Sequence, residues 1–164
     1  MKVPAEQVLS LRRAGKHEDA CLLAVSLAAQ CPDDAELQYQ AACVHDFLGR
    51  EAQAVPFYLA ALSGSLSAEH RRSAYLGLGS TYRALGQYAE AERTLREGLT
   101  HFSDAAELKT FLAMALHNLG RSKQAVELLL TLLAQSSADT HLQGYREAIL
   151  YYAQDIERSW PDGI

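Results

Sequence analysis

A chain of 164 residues is long enough for one packed domain and short for two. Its apolar content of 49% supplies a core, and 4 prolines and 10 glycines with no low-complexity tract exclude a disordered chain. The net charge of −5, from 15 basic and 20 acidic side chains, argues against nucleic-acid binding, which needs a basic surface to neutralise phosphates.

Ala, Leu, Glu, Gln and Arg dominate while Val and Ile are scarce, so helix is expected throughout. The opening Met-Lys-Val-Pro-Ala-Glu has no unbroken apolar stretch behind its lysine, and no signal peptide is expected. Two helices are predicted over 4–14 and 18–30, joined by Gly15–Ala20 (GKHEDA). Helices 34–48 and 51–62 follow, joined by Gly49–Ala54 (GREAQA), and then the loop-like Ser63-Gly64-Ser65-Leu66-Ser67. Helices 68–85 and 88–101 flank Gly86–Ala91 (GQYAEA), and helices 104–118 and 122–134 flank Gly120–Ala125 (GRSKQA). A ninth helix is predicted over 139–158, where Leu142, Tyr145, Ile149, Tyr152 and Ile156 form one apolar stripe at spacings of 3, 4, 3 and 4. No run approaches the roughly 20 apolar residues that span a bilayer, so no membrane partner is expected.

The four Gly-x-x-x-x-Ala blocks are an internal repeat, with intervals of 34, 37 and 34 residues between glycines. Each reads as a helix hairpin. The glycine can end the first helix in the left-handed conformation without a Cβ clash. The alanine lies where the two helices approach closely. Asp33…Glu36 and Asp104…Glu107, 71 residues apart, have the spacing of an N-cap acid followed by Glu, and mark first-helix starts in the same register. The three extra residues between the second and third repeats fall near Ser63–Ser67.

The period and its residues resemble the tetratricopeptide repeat family. The third unit is the closest match, with Tyr75, Leu78-Gly79, Tyr82, Leu85-Gly86, Tyr88, Ala91 and Leu95. The second keeps Leu48-Gly49, Ala54, Tyr58 and Ala61, with Ala41-Ala42 for Leu-Gly and His45 for the tyrosine. The fourth keeps Leu112-Ala113, Leu116, Leu119-Gly120, Ala125 and Leu129, and the first keeps Gly15, Ala20 and Pro32. The resemblance implies an all-α, right-handed superhelical α-solenoid of antiparallel helix hairpins. It divides one domain, 1–158, into repeats at about 1–34, 35–68, 72–105 and 106–139, with a C-terminal helix 139–158 and a tail 159–164. That last helix reads either as a cap on the open end of the solenoid or as a homodimerisation helix. Trp160 belongs to the tail.

No catalytic constellation is found, and no enzyme, metal or cofactor is expected. The six histidines lack the spacing of a helical metal site. His17 and His45 fall where the family carries aromatics and read as packing substitutes. Gly77-Leu78-Gly79-Ser80 is neither a dinucleotide loop nor a nucleophile elbow. Cys21, Cys31 and Cys43, odd in number and widely spaced, suggest neither disulfides nor zinc. Cys21 and Cys43 read as small core residues, which fits a reducing, cytoplasmic setting. Arg12-Arg13 and Arg71-Arg72 read as solvated helix faces.

In the family, the first helices line a concave surface on which ligand peptides lie. Carried over by register, the lining is Tyr39, Cys43, Asp46, Phe47, Ser80, Arg83, Phe111, Met114, His117 and Asn118. Apolar anchors with a few polar groups suit a peptide or protein partner. Phe47 and Phe111 read equally well as core residues facing the next repeat. A chaperone-binding subclass of the family uses a carboxylate clamp of Lys and Asn. The matching positions here are Ala5, Leu9, Gln40, Ser73 and Gly77, so that clamp is absent.

Overall fold

A computed structural model describes residues 3–159 and 161. Its helices, in chain order, are α1 (Val3–Arg13), α2 (His17–Gln30), α3 (Ala35–Phe47), α4 (Glu51–Ser63), α5 (Ala68–Ala84), α6 (Tyr88–His101), α7 (Ala106–Asn118), α8 (Ser122–Ser136), α9 (Thr140–Gly144) and α10 (Arg146–Tyr152). No strand occurs among the described residues.

The first eight helices form four hairpins. Gly15, Gly49, Gly86 and Gly120 all sit in the left-handed region, with φ between 68° and 76°. At each, the residue after the glycine donates its N–H to a carbonyl five residues back. These bonds run from Lys16 to Leu11, Arg50 to His45, Gln87 to Tyr82 and Arg121 to Leu116, at 2.8–2.9 Å. The glycine N–H itself bonds to Arg12, Asp46, Arg83 or His117. This double closure is the Schellman motif, and it satisfies carbonyls that a helix end otherwise leaves orphaned. Four copies of the same cap give four hairpins of the same shape.

The hairpins close on small residues. Ala20, Ala54 and Ala91 are fully buried and Ala125 is 4% exposed. At Gly79 a Cβ would lie 2.6 Å from Leu95 Cγ, so α5 and α6 touch where no side chain intervenes. From α1 to α8 each helix packs on the next in sequence, and α1, α3, α5 and α7 also pack on one another in succession. Helices α2, α4, α6 and α8 make no comparable contacts among themselves. The odd helices therefore form the tighter, inner layer of the stack, which is the layout of an α-solenoid. Two buried clusters fill it, and Phe57 of α4 packs against both.

Helix starts differ from the sequence expectation by one residue. Asp34, not Asp33, caps α3, its carboxylate accepting from the N–H groups of Glu36 and Leu37. Ala105 occupies the equivalent place before α7 and offers no side-chain cap. Asp104, one residue earlier, lies 3.7 Å from Arg72. The three extra residues between repeats lengthen α5 at its start, where Ser67 caps it through the His70 N–H.

That added turn corrects the reading of Arg71-Arg72 as a solvated face. Arg71 donates to the carbonyls of Leu62 and Gly64 at 2.9 and 2.6 Å. Arg72 bonds Glu107 of α7 at 2.5 and 2.9 Å, and His70 reaches Glu36 of α3 at 2.5 Å. Three consecutive side chains thus tie α5 to α3, to α7 and to the end of α4 with the loop that follows it.

The C-terminal segment departs most from expectation. The single helix over 139–158 is two short ones, broken at Tyr145. Gly144, at the break, has little helix propensity and no side chain to pack. The straight stripe consequently does not exist. Leu142 and Ile149 are half-buried, while Tyr145, Tyr152 and Ile156 are exposed. The segment packs on α8 through α10, with Ala153 buried and Lys123 bonded to Asp155 at 2.6 Å. Trp160 lies outside the described residues.

Candidate functional site

Repeat spacing places side chains near the ends of the odd helices in three rows. One row is Leu9, Cys43, Ser80 and Met114; the next is Arg12, Asp46, Arg83 and His117; the third is Arg13, Phe47, Ala84 and Asn118. The middle row consists of the residues whose carbonyls receive the hairpin glycines, so its backbone is held by the caps. Of the ten residues expected to line a groove, eight fall in these rows. Tyr39 and Phe111 do not.

Tyr39 is half-buried. Its ring stacks on His70 with centroids 4.7 Å apart, and burial pushes its hydroxyl pKa up. Phe111 is also half-buried and packs against the main core cluster. Phe111 acts there as a core residue. Phe47 does not: it is 62% exposed and stacks on His17, with centroids 4.1 Å apart. Cys43 is largely withdrawn from water, and burial raises its thiol pKa. Ser80 and Met114 are half-buried; His117 and Asn118 are exposed.

Asp46 is committed inward. Tyr58 of α4 donates to its Oδ2 at 2.8 Å and Thr81 of α5 donates to its Oδ1 at 2.7 Å. Burial raises the carboxyl pKa against the pull of these two bonds. A carboxylate with both oxygens engaged joins three helices and has little left for a ligand.

Arg83, one repeat along in the same row, is the opposite case. It is half-buried, its side chain makes no hydrogen bond or ion pair among the described residues, and its Nε is sealed from water without a partner. A buried donor left unpaired costs about 1–3 kcal/mol. It borders a pocket of about 280 Å³ walled by Ala113, Met114 and His117 of α7 and by Ser122, Ala125, Val126 and Leu129 of α8. His117 Nδ1 lies 2.9 Å from the Ser122 hydroxyl. At the other end of the rows, Leu9, Arg12, Arg13, His17 and Phe47 line a second pocket of about 330 Å³.

The sequence reading missed Leu9, Arg12, Arg13, Val126 and Leu129 as lining. Register alone marks the first three, since they stand where Met114, His117 and Asn118 stand in the last repeat. Val126 and Leu129 are apolar positions on a second helix. Each is 42% exposed, although α10 packs on the same helix.

His45 serves packing. It is buried, stacks on Phe57 with centroids 5.3 Å apart, and lies 3.8 Å from Cys21 Sγ. Burial and the nearby Arg50 hold its pKa below the ordinary imidazole value. Among the described residues, no group of three or more His, Cys, Asp or Glu side chains is placed to hold a metal ion. No helix among them is long and apolar enough to cross a membrane.

The sequence profile described as "Tetratrico peptide repeat" matches residues 35–156, most of the chain. The chain belongs to the tetratricopeptide repeat family. The match starts at α3, and α1–α2 precede it with the same glycine cap and buried alanine. Tetratricopeptide repeats are non-catalytic scaffolds for protein–protein interaction. No curated protein matches this chain.

Proposed function

We propose that this tetratricopeptide repeat protein holds a peptide or protein segment on the inner face made by α1, α3, α5 and α7. The observation that carries this is the composition of the rows. Phe47, Met114, Arg83 and His117 present apolar anchors and donors on a face that the protein's own helices leave uncovered. A polypeptide surface with these ingredients is well matched. One domain over 1–158 is part of the same reading. The free state of Cys21, Cys31 and Cys43 supports a reducing, cytoplasmic setting.

Peptide-array binding with Phe47→Ala and Arg83→Ala variants tests the groove. Loss of binding in either supports it, and unchanged binding in both removes it. Phe111 is not used as a probe, because truncating it would disturb the core.

A second reading is self-association through the C-terminal segment. Exposure of Tyr145, Tyr152 and Ile156 favours it. Light scattering on the eluting chain decides: a strict monomer at high concentration removes this reading.

A further inference from the structure

We propose that the pocket between α5, α7 and α8 selects acidic peptides: it takes an Asp or Glu side chain on Arg83, with a neighbouring apolar side chain against Met114 and Leu129. This rests on the groove reading above and names the class of ligand.

The charge pattern carries it. Elsewhere, arginines that this fold draws partly out of water have partners. Arg12 bonds Gln40, Arg50 bonds Glu18, Arg72 bonds Glu107, and both Arg96 and Arg121 bond Glu92. Arg71 caps two carbonyls. Arg83 is drawn halfway out of water and has nothing, although the chain carries a surplus of acids. No carboxylate lines its pocket. A guanidinium in such a place is a fork that fits a carboxylate, and partial dehydration strengthens the pairing.

Arg12 and Arg13 border the second pocket and carry the same sign, and His117 stands beside Arg83 as a hydrogen-bonding group. Asp46, the acid between them in the row, is turned to Tyr58 and Thr81. The inner face near the odd-helix ends is thus cationic in a protein of net charge −5. Complementarity of that kind sets partner choice. The apolar half follows from Val126 and Leu129, each 42% exposed on α8, and from half-buried Met114. A space of about 280 Å³ suits one or two side chains rather than a whole small-molecule ligand. A free chain terminus is the poorer fit, because a single guanidinium replaces the several donors such a group requires.

Selection of a random peptide library, displayed as amino-terminal fusions so that no carboxyl terminus is free, tests this on the purified full chain. The expected winners carry Asp or Glu beside Leu, Phe or Met. Their synthetic copies should weaken about tenfold or more when the acid is changed to its amide, and similarly on Arg83→Gln protein. The amide peptides are measured on unaltered protein, so a folding defect cannot mimic the result. Winners without acids, or winners indifferent to both changes, overturn the charge selection and leave the groove standing. A selection with no winners above background overturns the groove reading and this inference with it.

Discussion

Asp46 and Arg83 stand one repeat apart at the same place on equivalent helices, and they do opposite things. Asp46 is tied to α4 and α5 by two hydroxyl donors. Arg83 is tied to nothing and faces a pocket. The difference arises from neighbours. Tyr58 and Thr81 supply donors to Asp46, whereas α7 and α8 surround Arg83 with Ala113, Met114, Val126 and Leu129. A repeat makes backbone positions equivalent without making their duties equivalent. In the second repeat the polar group at this place joins helices, and in the third its counterpart has no partner among the described residues.

Four measurements break or sharpen this contrast. The largest effect is expected from Asp46→Ala, which leaves the Tyr58 and Thr81 hydroxyls without their acceptor. A loss of about 2–3 kcal/mol should appear as a lower urea midpoint. A loss under about 0.5 kcal/mol would mean that Asp46 is as idle as Arg83. Next comes Gly86→Ala, which forces a Cβ onto a φ of 74° and should cost about 1–2 kcal/mol by thermal melting. An unchanged melting temperature would show that the cap does not hold the middle row in place.

Mild acid should give a smaller effect. The folded-state pKa of His45 lies below its ordinary 6.5. The unfolded chain therefore takes up a proton first, and stability falls as pH drops through about 6.5, levelling off once the folded-state pKa is passed. His45→Leu copies Leu116 from the equivalent position of the last repeat. Its urea midpoint should fall less than the parent's over that range, and equal slopes would put the titrating group elsewhere. The smallest loss of stability belongs to Arg83→Ala, under about 0.5 kcal/mol, because no folded-state bond is lost and an unpaired buried donor is removed. A larger loss would show that Arg83 supports the fold, and the contrast with Asp46 would collapse.

Much of the fold was legible from the chain. Glycine and alanine at fixed separation report backbone geometry, and the eight hairpin helices fall within two residues of their predicted ends. The legible signals are local: a left-handed cap needs glycine, and a close crossing needs a small side chain. Reading the site was harder. Phe47 and Phe111 look alike in sequence, yet one is open and one is packed, because exposure depends on which helix arrives next door. Arg71 and Arg72 looked solvated because their partners Leu62, Gly64 and Glu107 belong to other turns of the stack. The C-terminal stripe had the right period and the wrong outcome. Periodicity shows that a face would be apolar if the helix continued, and Gly144 sits where it stops.

The order of helices, the four hairpins and membership of the repeat family follow from the sequence itself, since each hairpin is specified by residues close together in the chain. Tertiary packing decided the rest: that Asp46 is a tie, that Arg83 is left without a partner, and that α10 covers one flank of α8 and not the pocket. Those outcomes depend on side chains meeting across repeats. Distances between such groups are set by the stacking of whole helices, which no short stretch of sequence records.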